Sequence, residues 1–431
     1  VSAEKPREIA VRVLKQRVLR HEYVEKLLEN ELAKSRLSPS DRALCQELVY
    51  GIVRWERPLD WLIARKTEGR TQNSTLQILL KLGLYQLFWL DRIPSHAAVH
   101  ETVELAKFLG FGPKAGFVNA ILRGYTRELA ETKSLLVALK QKDPAVGYSH
   151  PQWLVERWQA RYTPEKTTTL LDWNNIPPAT FARLNTLKAD APTLARYWEQ
   201  EDVTYAPAVA EWTGPNLMYE LKNHRSLNSL KSFSQGFFYI QDPSTLLAVR
   251  ELNPQPGEEV LDLCAAPGGK TTFIAQLMNN RGRIVAQDNQ PDRLGLIEEN
   301  CKRLGVTCVL LSVAGSMVTS SSRFDRILVD APCSNTGVLR RRVDLRWRIR
   351  PDEIERLTAT QRELLQSAVA KLKKGGTLVY STCSLEPEEN TLMTKAFLAE
   401  HPEMKLEKER QLLPFNDLTD GAYVARFVKT A

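Results

Sequence analysis

Apolar positions over roughly the first 140 residues recur at helical spacing, with almost none of the strict alternation that marks a strand. Ile9, Val11, Val13, Leu14, Val18 and Leu19 begin one amphipathic pattern, and Leu44, Leu48, Ile52 and Val53 mark another. Ser38-Pro39-Ser40-Asp41 precedes the second pattern, where a serine hydroxyl can accept from an otherwise unpaired helical N–H. The most apolar stretch, residues 76–90, is broken by Lys81 and Gln86. It falls short of the ~18 uninterrupted apolar residues of a membrane span and predicts a buried helix instead. Ser95-His96 after Pro94 opens a further helix through Val99, Val103 and Leu105, and residues 117–123 continue the theme. An all-α bundle is expected over residues 1–142.

The pattern breaks at Asp143-Pro144-Ala145-Val146-Gly147. Residues 148–235 mix short helical and strand-like runs, punctuated by Pro177-Pro178 and Pro207, and read as a small α+β subdomain. From 236 to 431 the rhythm becomes strand–helix–strand. Short apolar runs end near Leu263, Asp288, Leu311, Asp330 and Thr382, and a last strand covers residues 422–428. Helices are expected from the Gly-Gly turn to Met278, from Pro291 to Leu304, and from Pro351 to a stop at Gly375-Gly376. Alternation of this kind predicts a doubly wound, Rossmann-like α/β sheet.

A chain of 431 residues is too long for one core, which agrees with three segments. Charge is unevenly spread. Residues 1–150 hold 24 Lys and Arg against 17 Asp and Glu, and residues 151–431 hold 35 against 34. Nearly all the excess therefore sits on the helical segment, as expected of a part that helps to hold a polyanion. Residues 1–7 lack the apolar core of a signal peptide, so a cytoplasmic, non-membrane protein is expected. The six cysteines (45, 264, 301, 308, 333, 383) form no CxxC pair and no cluster with histidine, so no zinc site is expected and the thiols should be free. Cys45, Cys301 and Cys308 read as small buried hydrophobes.

Cys333 and Cys383 differ, because each follows a short buried-strand pattern: Asp330-Ala331-Pro332-Cys333-Ser334 and Ser381-Thr382-Cys383-Ser384. Open α/β sheets bind ligands at the carboxyl ends of their strands. Two thiols there would face one site, which points to an enzyme. Between the first strand and its helix lies Cys264-Ala265-Ala266-Pro267-Gly268-Gly269-Lys270, whose small residues let backbone approach a ligand. Gly269-Lys270-Thr271 imitates the tail of a P-loop, but position 264 is Cys264 where that motif needs glycine, and GxGxxG is absent. Asp288 ends the next strand, where an acid can hold ribose hydroxyls. A nucleoside cofactor without a diphosphate, such as S-adenosylmethionine, fits this loop. Arg340, Arg341, Arg342, Arg346 and Arg348 surround Trp347 just beyond Cys333, which reads as guanidinium groups for phosphates and an indole for stacking on RNA.

The three motifs at residues 262–271, 330–334 and 381–384 resemble those of the RNA cytosine-5 methyltransferases. Residues 48–54 and 117–123 resemble the NusB-like RNA-binding domain. The combination is similar to the bacterial RsmB (Sun/Fmu) family, which acts on small-subunit ribosomal RNA. The resemblance implies an RNA-recognition-like middle subdomain and S-adenosylmethionine as cofactor. It implies Cys383 as nucleophile toward carbon 6 of cytosine and Cys333 as the group assisting release. The residues alone leave these two roles open, since DNA cytosine methyltransferases use the Pro-Cys position as nucleophile. Asp330 is suited to the cytosine amino edge or ring nitrogen and also borders the cofactor loop. Two departures stand out. Ala314 occupies the place where the family usually has an acid for the cofactor's adenine, with Ser312 or Ser316 as substitutes, and Val343-Asp344 stands where a proline often precedes the aspartate. Rival readings are a non-catalytic RNA-binding or ribosome assembly factor and a methyltransferase acting on transfer RNA or DNA. A monomer is expected.

Overall fold

The computed structural model describes residues 5–313 and 323–430, so the expectation for Ala314 and Ser316 lies outside the described residues. Its contacts divide into two units, Val1–Ile176 with Leu339–Arg348, and Pro177–Val338 with Ile349–Ala431.

In the first unit the helical periodicity becomes a run of helices that includes Pro6–Leu19, Pro39–Arg54, Ser74–Trp89, Ser95–Ala106 and Ala115–Arg127. Ser38 caps the second of these, its hydroxyl accepting from the Asp41 amide at 3.2 Å. Ser74–Trp89 is buried nearly throughout. The two polar residues that interrupt its sequence are satisfied. Lys81 pairs with Asp60 at 2.9 Å and Glu56 at 3.3 Å, and Gln86 accepts from Arg7 at 2.8 Å and donates to the Leu82 carbonyl at 2.9 Å. Val18 and Leu19, expected on the apolar stripe, are exposed at 60% and 79%, because that stripe ends at Leu14 and the last turn of the helix runs past the core. Helices Gln152–Gln159 and Pro164–Trp173, read from sequence with the small subdomain, belong to this unit as well.

Leu339–Arg348 also belongs here, although the chain on either side of it lies in the second unit. Asp344 has no exposed surface, and its carboxylate accepts from Arg17 at 2.7 Å, Arg348 at 2.9 Å and the Val24 amide at 3.0 Å. Val343 joins the apolar core of the bundle. Arg346 is fully buried and donates to the carbonyls of Ser149 at 3.0 Å and Asn174 at 2.7 Å and to Asn175 Oδ1 at 2.8 Å. Trp347 donates its indole N–H to the Val53 carbonyl at 2.8 Å, and Arg340 is buried with its guanidinium 4.0 Å from the Trp173 ring centre.

The second unit contains two sheets. The smaller is antiparallel in the order β2-β3-β1-β4, formed by β1 (Thr180–Leu184), β2 (Thr204–Pro207), β3 (Met218–Asn223) and β4 (Phe238–Ile240). The helix Ala191–Gln200 lays Trp198 against Tyr205, Tyr219 and Phe238 of this sheet. The larger comprises β5 (Glu259–Leu263), β6 (Arg283–Asp288), β7 (Val309–Val313), β8 (Phe324–Asp330), β9 (Leu372–Thr382), β10 (Met404–Leu412) and β11 (Ala422–Lys429). Its order is β10-β11-β9-β8-β5-β6-β7, with β5 to β9 parallel and β10 and β11 antiparallel at one edge. The polar edge strand β10 was not expected, since its outer face meets solvent and its sequence carries little apolar alternation.

One predicted stop moves. Gly375-Gly376 does not end the long helix, which closes at Lys371, but lies inside β9. Phe324 pairs with Leu372 and Arg326 with Thr377, so the extra residues form a bulge with Gly375 at φ 73°. Among the described residues no helix is long and apolar enough to cross a membrane.

Candidate active site

The carboxyl ends of β5, β6, β8 and β9 carry the chemistry. After β5 the chain turns at Cys264 (φ 62°) and Gly268 (φ 98°) into the helix Gly269–Leu277. A Cβ on Gly268 would stand 3.2 Å from Ile297 Cγ2 and 3.3 Å from Ile297 Cα, so glycine serves both the backbone angle and the close approach. Asp288 ends β6 and shapes the loop from the other side. Its Oδ2 accepts from the Ala266 amide at 3.2 Å, its Oδ1 from the Gln290 amide at 3.1 Å, and Arg293 lies at 3.5 Å. Arg183 of β1 supports the same turn from within the unit. It donates to the Gly269 carbonyl at 2.9 Å, to Thr272 Oγ1 at 3.1 Å and to Gln241 at 2.6 Å.

Asp262, one residue before the end of β5, has no exposed surface. Its Oδ2 accepts from the Thr271 hydroxyl at 2.6 Å, while Oδ1 is buried without a partner. Burial pushes this carboxyl up to about 7, and neighbouring Asp330 and Asp288 push the same way against the Thr271 hydrogen bond and Lys270. Cys264 is likewise driven up to about 12 by burial and by the same carboxylates, so it rests as a thiol.

At the ends of the adjacent strands β8 and β9 the two remaining thiols meet, with Cys333 Sγ 3.3 Å from Cys383 Sγ. Cys383 donates to Asn335 Oδ1 at 3.0 Å, and its amide donates to Cys333 Sγ at 3.3 Å. Cys333 is buried and Cys383 half-buried. The hydrogen bond to Cys383, with burial, raises Cys333 well above an ordinary thiol, so Cys333 keeps its proton. Asp330 closes the site. Its Oδ2 accepts from Lys270 Nζ at 2.6 Å and its Oδ1 from the Ser381 hydroxyl at 2.8 Å. Burial alone would lower the Lys270 ammonium; Asp330 overrides this and leaves it raised, and Cys383 adds to the effect from within electrostatic reach.

Cys333, Cys383, Asp330 and Lys270 are thus brought together, and Cys264 to Gly269 form the loop beside them. Asn335, Ser381 and Asp262 were not singled out from sequence. Asp262 carried a signal, an acid at the end of an apolar strand before a small-residue turn. Asn335 and Ser381 carried none, because only strand pairing brings Asn335 to Cys383 and Ser381 to Asp330. The remaining cysteines are kept protonated by burial, Cys45 up to about 12 and Cys301 to about 11. Among the described residues no group of three His, Cys, Asp or Glu is placed to hold a metal ion.

The expected RNA surface is placed differently. Arg340 and Arg346 are buried, Trp347 and Arg348 are half-buried, and their hydrogen bonds and ring contacts go to the bundle. A guanidinium spent on carbonyls in a core cannot meet a phosphate, which takes Arg346 out of the expected RNA surface. Arg342 is exposed and Arg341 half-exposed.

The loop suits S-adenosylmethionine. Asp262 Oδ1 is a buried acceptor with no partner, Asp288 retains carboxylate lone pairs beside it, and the Cβ-free Gly268 lets backbone lie close. Acceptors of this kind match the donors of a ribose and an ammonium group.

Family models match three stretches of the chain, the middle one running across the boundary at Ile176. The family model described as 16S rRNA methyltransferase RsmB/F matches residues 249–428, the NusB family model residues 4–127, and the RsmF/B-like ferredoxin-like domain residues 150–211. The chain is 36% identical over 96% of its length to the probable ribosomal RNA small subunit methyltransferase B of Synechocystis sp., covering 94% of that protein. It is 37% identical over 92% of both chains to the ribosomal RNA small subunit methyltransferase B of Escherichia coli O157:H7. The crystal structure of PH0851 aligns with a TM-score of 0.79 and 25% identity over 99% of each chain. That of NSun6 from Pyrococcus horikoshii with SFG aligns with a TM-score of 0.57 and 26% identity, over 65% of this chain and 98% of that one. A helical NusB domain, a ferredoxin-like domain and a mainly parallel seven-stranded methyltransferase sheet, on one chain with near full-length relatives, place this protein in the 16S rRNA methyltransferase RsmB/F family.

Proposed function

We propose that this protein methylates carbon 5 of a cytosine in 16S ribosomal RNA through a covalent Cys383 adduct, with Cys333 assisting release. The observation that carries the proposal is the thiol pair, 3.3 Å apart at the ends of two adjacent parallel strands. S-adenosylmethionine, when bound, supplies the methyl group; the relatives' names and the neighbour solved with SFG, an analogue of it, support that cofactor. Cytosine carbon 5 is a poor nucleophile until a thiolate adds to carbon 6 and makes it enamine-like.

Cys383 is the half-buried thiol of the pair, the more open of the two to a substrate ring, and it lies within electrostatic reach of the Lys270 ammonium. Asp330, fixed by Lys270 and Ser381, accepts from the cytosine amino group or a protonated ring nitrogen and so holds the ring over Cys383. Once carbon 5 is methylated, its proton leaves to a base and the bond from carbon 6 to sulfur breaks. Cys333, a protonated thiol at 3.3 Å, then donates toward the departing sulfur. A base inside a duplex cannot reach these groups, so the target is unpaired or flipped out. The NusB domain, which holds most of the excess positive charge, binds the RNA, and phosphate contacts make that binding salt-dependent.

Denaturing gels of wild type, Cys333→Ala and Cys383→Ala after incubation with S-adenosylmethionine and small-subunit ribosomal RNA test the proposal. An RNA–protein adduct trapped in Cys333→Ala and absent in Cys383→Ala is expected. The opposite pattern exchanges the two roles. No adduct in any variant, with RNA still bound, removes the covalent reading and favours a non-catalytic assembly factor or a different RNA.

A further inference from the structure

Behind the thiols lies a buried carboxylate that sequence reading passed over. Glu389 has no exposed surface and sits on the short turn Pro387–Glu389 between β9 and the helix Thr391–Glu400. Four donors converge on it. Oε1 accepts from the Ser334 amide at 2.8 Å and from Gln361 Nε2 at 3.1 Å. Oε2 accepts from the hydroxyls of Ser334 and Ser384.

The identity of those donors carries the argument. Ser334 directly follows Cys333 and Ser384 directly follows Cys383, and their hydroxyls are 3.0 Å apart. Gln361 also donates to the carbonyl of Pro332 at 2.9 Å, so the residue before Cys333 is held by the same network. A buried carboxylate is unfavourable unless donors satisfy it. Burial raises the Glu389 pKa, and the serine and Gln361 hydrogen bonds oppose that shift. An apolar side chain could fill the space, but it could not clamp two loops that meet only through strand pairing.

We propose that Glu389 is the positioning residue that sets the register of Cys333 against Cys383, acting through Ser334 and Ser384. The inference rests on the function proposed above only in taking the two thiols as the reacting pair. Near-attack geometry is sensitive, since a displacement of about 1 Å costs on the order of a hundredfold in rate.

The test compares Glu389→Ala, Glu389→Gln and Ser384→Ala in the full chain by three readouts. The first is the rate at which diamide links Cys333 to Cys383, followed by mass spectrometry of the joined peptide; the thiols give two electrons and two protons to diamide, which becomes the hydrazine. The second is kcat and KM for RNA methylation, and the third is the thermal midpoint. Glu389→Ala is expected to slow linking and lower kcat by about tenfold or more, with the KM for S-adenosylmethionine unchanged. Glu389→Gln keeps an acceptor for the Ser334 amide and a donor for the serine hydroxyls, and should recover both to within about threefold. Should Glu389→Ala fail to fold, Ser384→Ala carries the test, with smaller losses of the same two rates. Wild-type linking and kcat in Glu389→Ala, or in Ser384→Ala, overturn the proposal. So does a Glu389→Gln variant as impaired as Glu389→Ala, with an equal fall in thermal midpoint. Slower linking in a protein whose wild type methylates no ribosomal RNA would leave the positioning role standing and remove the proposed function. Unchanged linking alongside a normal RNA adduct would do the reverse.

Discussion

Replacing Asp262 by Asn should stabilise this protein at alkaline pH and weaken its hold on the cofactor. Asp262 is fully buried, keeps one oxygen without a partner, and has its carboxyl raised from an ordinary 3.8 to about 7. A folded-state pKa above the unfolded one means that the unfolded chain loses its proton first as pH rises. Stability therefore falls with rising pH from about 4 to about 7 and then levels off. Each pKa unit corresponds to about 1.4 kcal/mol, so the full penalty approaches ~4 kcal/mol, of which ~2 kcal/mol develops between pH 5.5 and pH 8. Asparagine is close in shape, can still accept from the Thr271 hydroxyl, and does not ionise. Urea unfolding of both proteins at pH 5.5 and pH 8, without cofactor, should show the advantage of Asp262→Asn growing by about 2 kcal/mol. Calorimetric titration with S-adenosylmethionine should show weaker binding by the variant, because an acceptor has become a donor. A stability difference that does not change with pH would refute the reasoning, because it would mean that Asp262 ionises as it does in water.

Asp344→Ala strands Arg17, Arg348 and the Val24 amide around a buried site. Because Arg17 keeps Glu56 at 3.0 Å, a loss near the low end for a broken buried pair, about 3 kcal/mol, is expected. Scanning calorimetry should show the transition of the first unit falling by about 6–12 °C. Arg183→Ala removes the donors that fix Gly269 and Thr272, and equilibrium dialysis should show cofactor affinity falling by about tenfold. Gly268→Ala places a Cβ against Ile297 at a φ of 98°, and chemical denaturation should show a loss of about 1–2 kcal/mol with cofactor binding impaired.

Much of this protein was legible in the chain because its signals are local. Helical periodicity over residues 3–140, the Ser38 cap, and apolar runs closed by Asp288, Asp330 and Thr382 each depend on neighbours within a turn or a strand. The two thiols were legible for the same reason, since the end of a buried strand is written in a few consecutive residues. In the arginine-rich stretch composition does not say which way a side chain faces, and Arg340 and Arg346 turn out to be buried. Arg346 and Arg348 look like part of a polyanion surface until Asn175 and the carbonyls of Ser149 and Asn174 are seen to hold the first, and Asp344 the second. Glu389 reads as one acid among several in Glu386-Pro387-Glu388-Glu389, and its partners lie 5, 28 and 55 residues away. Sequence alone therefore determined most of the elements, the small-residue turn after β5 and the place of the two thiols at strand ends. Tertiary structure decided which unit residues 339–348 join, how close the sulfurs stand, and which buried acids hold or flank them. Those outcomes depend on desolvation and on partners far apart in the chain, which no local pattern encodes.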